Sequence, residues 1–69
     1  MYLNRHLVND AHVRSFIVMH HADGWEVIEA QDSKVVRRVS RRNWQKVEPE
    51  IQRFETTANE LKQKGWIEH

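Results

Sequence analysis

The chain has 69 residues, with 11 Lys and Arg against 10 Asp and Glu, five His, no Cys and a formal net charge of +1. A chain of this length is expected to form one small domain (1–69) that buries only about 60% of the surface its unfolded form exposes, and the lack of Cys excludes a disulfide framework and any thiolate metal site. The near-neutral balance argues against a nucleic-acid binder driven by overall charge, and no apolar stretch approaches the ~20 residues of a membrane span or a signal peptide's h-region, so a soluble, cytoplasmic protein is expected.

Residues 1–12 contain Tyr2, Leu3, Leu7 and Val8 in no clear period and are expected to form an N-terminal arm or a short extra element. From 13 to 21 the chain is rich in β-branched and aromatic residues, Asp23-Gly24 follows, and 25–30 resumes the pattern, which is a hairpin signal. With Asp23-Gly24 as the two-residue loop, Met19 would face Ile28 and Ile17 would face Ala30. A turn at Gln31-Asp32-Ser33 leads to a third strand from about 34 to 41, so that 13–42 is expected to be an antiparallel β-meander.

Beyond it the period changes. Val47, Ile51, Phe54, Ala58 and Leu61 recur at three- and four-residue intervals with polar residues between them, which predicts an amphipathic helix over 47–64. Pro49 suits only a first turn, so an irregular turn is expected at 43–47. Gly65 can take the left-handed position after the helix, with Trp66 folding back on Leu61. The expected fold class is α+β: a three-stranded antiparallel meander followed by one C-terminal helix packed on the sheet, in the order β-β-β-α.

That architecture leaves a surplus of apolar surface. One sheet face would hold Phe16, Val18, Trp25 and Val27, and the other Ile17, Met19, Ile28 and Ala30, and a single helix covers only one of them. The N-terminal segment or another molecule must cover the second, since large exposed apolar patches mark interaction sites. The candidate partner interface is therefore Met19, Ile28, Ile17 and Ala30, or Val18 and Trp25 if the helix takes the opposite face. Its occupant would be a second copy, forming a homodimer, or a different protein.

The stretch KVVRRVSRRNWQK (34–46) holds six basic residues and no acidic one. The remaining residues then carry five basic against ten acidic side chains, about −5. In one reading this is a solvated edge strand whose arginines pair with Glu26 and Glu29 and whose charge discourages aggregation. In the alternative, Arg38, Arg41, Arg42 and Lys46 hold phosphates while Trp44 stacks on a base, making the chain a nucleic-acid-binding module.

Little else points to chemistry. His20 and His21 are adjacent in a strand and point to opposite faces, so they cannot chelate one ion together. No nucleophile elbow, Ser/His/Asp arrangement or glycine-rich phosphate loop is present, and Glu48 and Glu50 beside Pro49 fit a helix start better than acid/base work. The expectation is no catalytic residue, metal, cofactor or small-molecule substrate. The closing LKQKGWIE is similar to the end of WGR domains over about the last twenty residues. The chain has no Trp-Gly-Arg triplet, and the likeness implies no function or binding residue here. The function expected from the residues is non-enzymatic protein-protein contact.

Overall fold

The computed structural model describes residues 2–69. In chain order the elements are β1 (Leu3–Asn9), β2 (His12–His21), β3 (Gly24–Gln31), β4 (Lys34–Arg41), α1 (Trp44–Gln63) and β5 (Ile67–Glu68). The strands form one five-stranded antiparallel sheet in the order β4-β3-β2-β1-β5, and the helix lies on one face. The α+β class and the C-terminal helix follow the expectation, but three strands become five.

The first added strand lies in the segment expected to be an arm or a short extra element. β1 does not cross the sheet; it pairs along β2 from Leu3 opposite Val18 to Asn9 opposite His12. Arg5 and His6 interrupt its apolar alternation, and its turn lacks Gly: Asp10 supplies the positive φ of 52° itself, which Asp tolerates better than most residues. The second added strand, β5, is two residues long and pairs Leu7 with Glu68 and Val8 with Ile67.

The β2-β3 turn falls at Ala22-Asp23, with His21 opposite Gly24, Val18 opposite Val27 and Ile17 opposite Ile28. This register differs by two residues from one centred on Asp23-Gly24. Side chains alternate with period two, so a slip of two changes the partners and leaves each residue on its expected face. Gly24 is not a turn residue but the first residue of β3, at φ 133°. A Cβ there would sit 2.6 Å from the Arg41 carbonyl oxygen, so the close approach of β4 is what requires glycine.

The β3-β4 loop is Asp32-Ser33, both at positive φ (52° and 70°), the signature of a type I′ turn made without Gly or Asn. Asp32 is held in that strained conformation by three links to β2: its backbone N–H donates to the Val13 carbonyl and its carboxylate accepts from the Val13 N–H, each at 2.8 Å, and the carboxylate also lies 2.9 Å from His12 Nδ1. Farther along, Glu29 opposes Arg37 but Ala30 opposes Val35, so Val36 is an extra residue in a β-bulge on the edge strand.

Asn43 caps the helix, its side chain accepting from the Lys46 N–H, and α1 begins at Trp44, three residues earlier than expected. Pro49 therefore lies inside the helix, where it is exposed. At the other end Lys64 is the cap and Gly65 takes φ 103°. Trp66 N–H donates to Leu61 at 3.0 Å and Gly65 N–H to Lys62 at 3.1 Å, a Schellman motif. The core joins Leu7, Phe16, Val18 and Val27 of the sheet to Val47, Phe54 and Ala58 of the helix, with the Phe16 and Phe54 rings stacked at 4.3 Å. Ile51 and Leu61 flank it half-buried, while Glu50 occupies a buried place on the same stripe.

Candidate functional site

The helix decides which face is left over. It covers Leu7, Phe16, Val18 and Val27, with Trp25 and Val39 packed at the margin, so Val18 and Trp25 belong to the interior. By strand alternation Ile17, Met19, Ile28 and Ala30 lie on the outward face. The cross-strand rows extend the patch: Ile17 lies beside Ile28, Ala30 beside Val35, and Val13 beside Val8, which in turn lies beside Ile67. Met19 is 38% exposed, Val35 54% and Ile67 65%, whereas Ile28 is nearly enclosed between its neighbours at 8%.

Polar side chains interleave with the apolar ones on this face: Asn4 lies beside Ile17, His6 beside Ser15, Arg38 beside Ile28 and Ser40 beside Glu26. His6 Nδ1 and Ser15 Oγ are 2.8 Å apart, and Arg38 Nε lies 4.0 Å from Glu26 Oε1. No described segment covers the patch. β1 lies beside it as a strand, and the Tyr2 ring packs instead against Trp25 (5.3 Å) and Trp44 (4.9 Å).

The basic stretch is divided rather than gathered. Arg37 and Arg41 both turn to Glu50 of the helix: Arg37 donates at 2.5 and 3.3 Å and Arg41 at 3.0 Å. These guanidiniums, Arg37 foremost, hold the Glu50 carboxyl below the usual range, offsetting the burial that opposes its charge. Arg37 also lies 3.8 Å from Glu29, which receives Arg53 from the helix at 3.4 Å. Of the five proposed polyanion ligands, Arg41 is thus engaged, and Trp44 packs between Trp25 and Tyr2 with its Nε1 donating to Glu48 at 2.8 Å. Arg38, Arg42 and Lys46 remain exposed. Alternation sends Arg38 to the outward face and Arg41 to the helix side, so no single cationic face results.

A second charged cluster has no counterpart in the sequence reading. Arg5 of β1 donates to both oxygens of Glu68 of β5, at 2.5 and 2.7 Å, and also to Glu55 of the helix. Lys62 reaches Glu68 at 2.8 Å. Arg5 first, then Lys62, bring the Glu68 carboxyl down from 4.5 to about 2. Arg5 lies 50 residues from Glu55 and 63 from Glu68, and no local pattern announces these pairs. A shallow groove lined by Trp44, Gln45, Glu48, Pro49, Ile51 and Gln52 is formed by the helix surface and collects no convergent polar groups.

Among the described residues no group of three His, Cys, Asp or Glu is placed to hold a metal ion, and no helix is long and apolar enough to cross a membrane. The chain matches no known protein-family model, and neither a curated protein nor a solved structure is similar to it.

Proposed function

We propose that this chain is a non-enzymatic binding module acting through protein-protein contact on its outward sheet face, with Ile17, Met19, Ile28 and Ala30 at the centre. The observation that carries this reading is that the helix packs on the opposite face and the N-terminal strand lies alongside β2, while Met19, Val35 and Ile67 on the outward face stay open to water and Ile17 and Ala30 partly so. Exposed patches of this kind usually mark contact sites in soluble proteins. The lack of Cys fits a reducing compartment such as the cytoplasm.

A photo-crosslinking residue placed at position 19 tests the reading, with position 52 on the outer surface of the helix as control. Crosslinking to protein from 19 but not from 52 is expected, and equal or absent crosslinking at both overturns it. The rival use, polyanion binding, draws on the exposed Arg38, Arg42 and Lys46. The engagement of Arg41 and Trp44 inside the chain weighs against it. It requires binding to single-stranded DNA or RNA that weakens steeply as salt rises. Anisotropy that stays flat at low salt rejects it.

A further inference from the structure

We infer that the occupant of the outward face is a second copy of this chain, packed face to face. The inference rests on the protein-contact reading above and names the partner. Its first support is the charge of the face. Within the strands, the ionised side chains pointing this way are one acid and one base, Glu26 and Arg38, on adjacent strands. A face shaped for a charged foreign partner would carry an excess of the opposite sign. This one is balanced, so turning a copy over onto it sets acid against base in both directions, as a two-fold interface demands.

The second support is the alternative that the edges exclude. Adding a copy edge to edge along β4 would bring the exposed Lys34 and Arg38 near their own copies, across a bulge at Val36, while Arg37 and Arg41 stay turned to Glu50. The opposite edge offers only the two residues of β5 and, beside it, the short stretch Leu3 to Arg5 of β1, which carries Arg5. Self-association by strand addition is disfavoured at both ends, and the face remains.

The register supplies a geometry. A two-fold axis lying in the face and running diagonally past Ile28 and Ile17 places Glu26 over the partner's Arg38. The same axis places Met19 over the partner's Ala30 and Val35, a long flexible side chain entering the space left by a small one. With strands ~4.8 Å apart and alternate residues ~6.8 Å apart, the two sheets cross at roughly 70°, near the orthogonal class of sheet packing. Two faces of this size bury on the order of 1,000 Å² in total, the lower limit for a specific interface, so micromolar association is expected.

Sedimentation equilibrium of the full chain from micromolar to hundreds of micromolar tests this. The expected result is a rise toward twice the 8.4 kDa chain mass. Glu26→Arg and Arg38→Glu should each weaken the dimer at least tenfold, and an equimolar mixture of the two variants should recover it as a mixed dimer visible in native mass spectrometry. Both side chains reach solvent, so the fold should persist, and far-UV circular dichroism checks that. Wild-type mass of one chain at every concentration overturns the inference, as do variants that dimerise like wild type. A crosslink from position 19 onto a different protein, with the chain itself monomeric, also overturns the second copy but leaves protein contact standing. No crosslink from position 19 removes both.

Discussion

Glu50 shows how one side chain can join two elements. It is 8% exposed and receives Arg37 and Arg41 from the edge strand, so the helix is tied to β4 by charge where apolar contact is sparse. Glu50→Ala should cost about 2 kcal/mol, because two guanidiniums lose their acceptor while keeping partial access to water. The urea midpoint measures it, and an unchanged midpoint would show the pair to be idle. The position was legible: Glu50 stands three residues after Val47 and four before Phe54, on the apolar stripe. Its neighbour Pro49 suggested a helix start and concealed this. The glycines make a contrasting pair. Gly24→Ala should cost about 2–4 kcal/mol, since its Cβ would collide with backbone at a positive φ. Gly65→Ala meets no atom within 4 Å and should cost about 1 kcal/mol, the conformational penalty alone.

At the level of elements, β1, β5 and the end of the helix are held together by Arg5, Glu68, Glu55 and Lys62. The Glu68 carboxyl is depressed in the folded chain from 4.5 to about 2. Its contribution is therefore present above pH 4.5 and is lost as pH falls toward 2. Glu68→Gln should lower stability at pH 7 by about 1–2 kcal/mol, discounted for exposure to solvent, and the gap to wild type should close near pH 2. Parallel denaturation curves at both pH values decide this, and a gap that persists in acid would contradict it. The N-terminal segment was legible only as an arm or a short extra element, and β5 not at all. β1 carries Arg5 where an apolar residue would complete the alternation, and β5 exists only because the Schellman turn delivers Ile67 and Glu68 to an open edge. The early start of the helix was more accessible, since Asn43 is a strong N-cap residue.

For the whole molecule, the two apolar faces were legible because their parity survives a two-residue slip of the hairpin. Which one the helix takes was not, because that choice rests on contacts such as Phe16 on Phe54 and Arg37 on Glu50, whose partners meet only in three dimensions. The faces should now respond differently to charge. Met19→Glu should leave unfolding free energy within about 0.5 kcal/mol of wild type while abolishing crosslinking from a probe at Val35. Val18→Glu, one residue away but fully buried, should prevent folding. Similar stability losses in both would mean that the outward face contributes to the core.

The bulge at Val36 bears on stoichiometry. A strand with one residue too many cannot template a regular continuation of the ladder, and its exposed Lys34 and Arg38 repel a copy approaching from the side. A second copy docking on the flat of the sheet, as proposed, would therefore complete a closed object instead of seeding a ribbon that lengthens without limit, and growth would halt at two chains even when the protein is abundant.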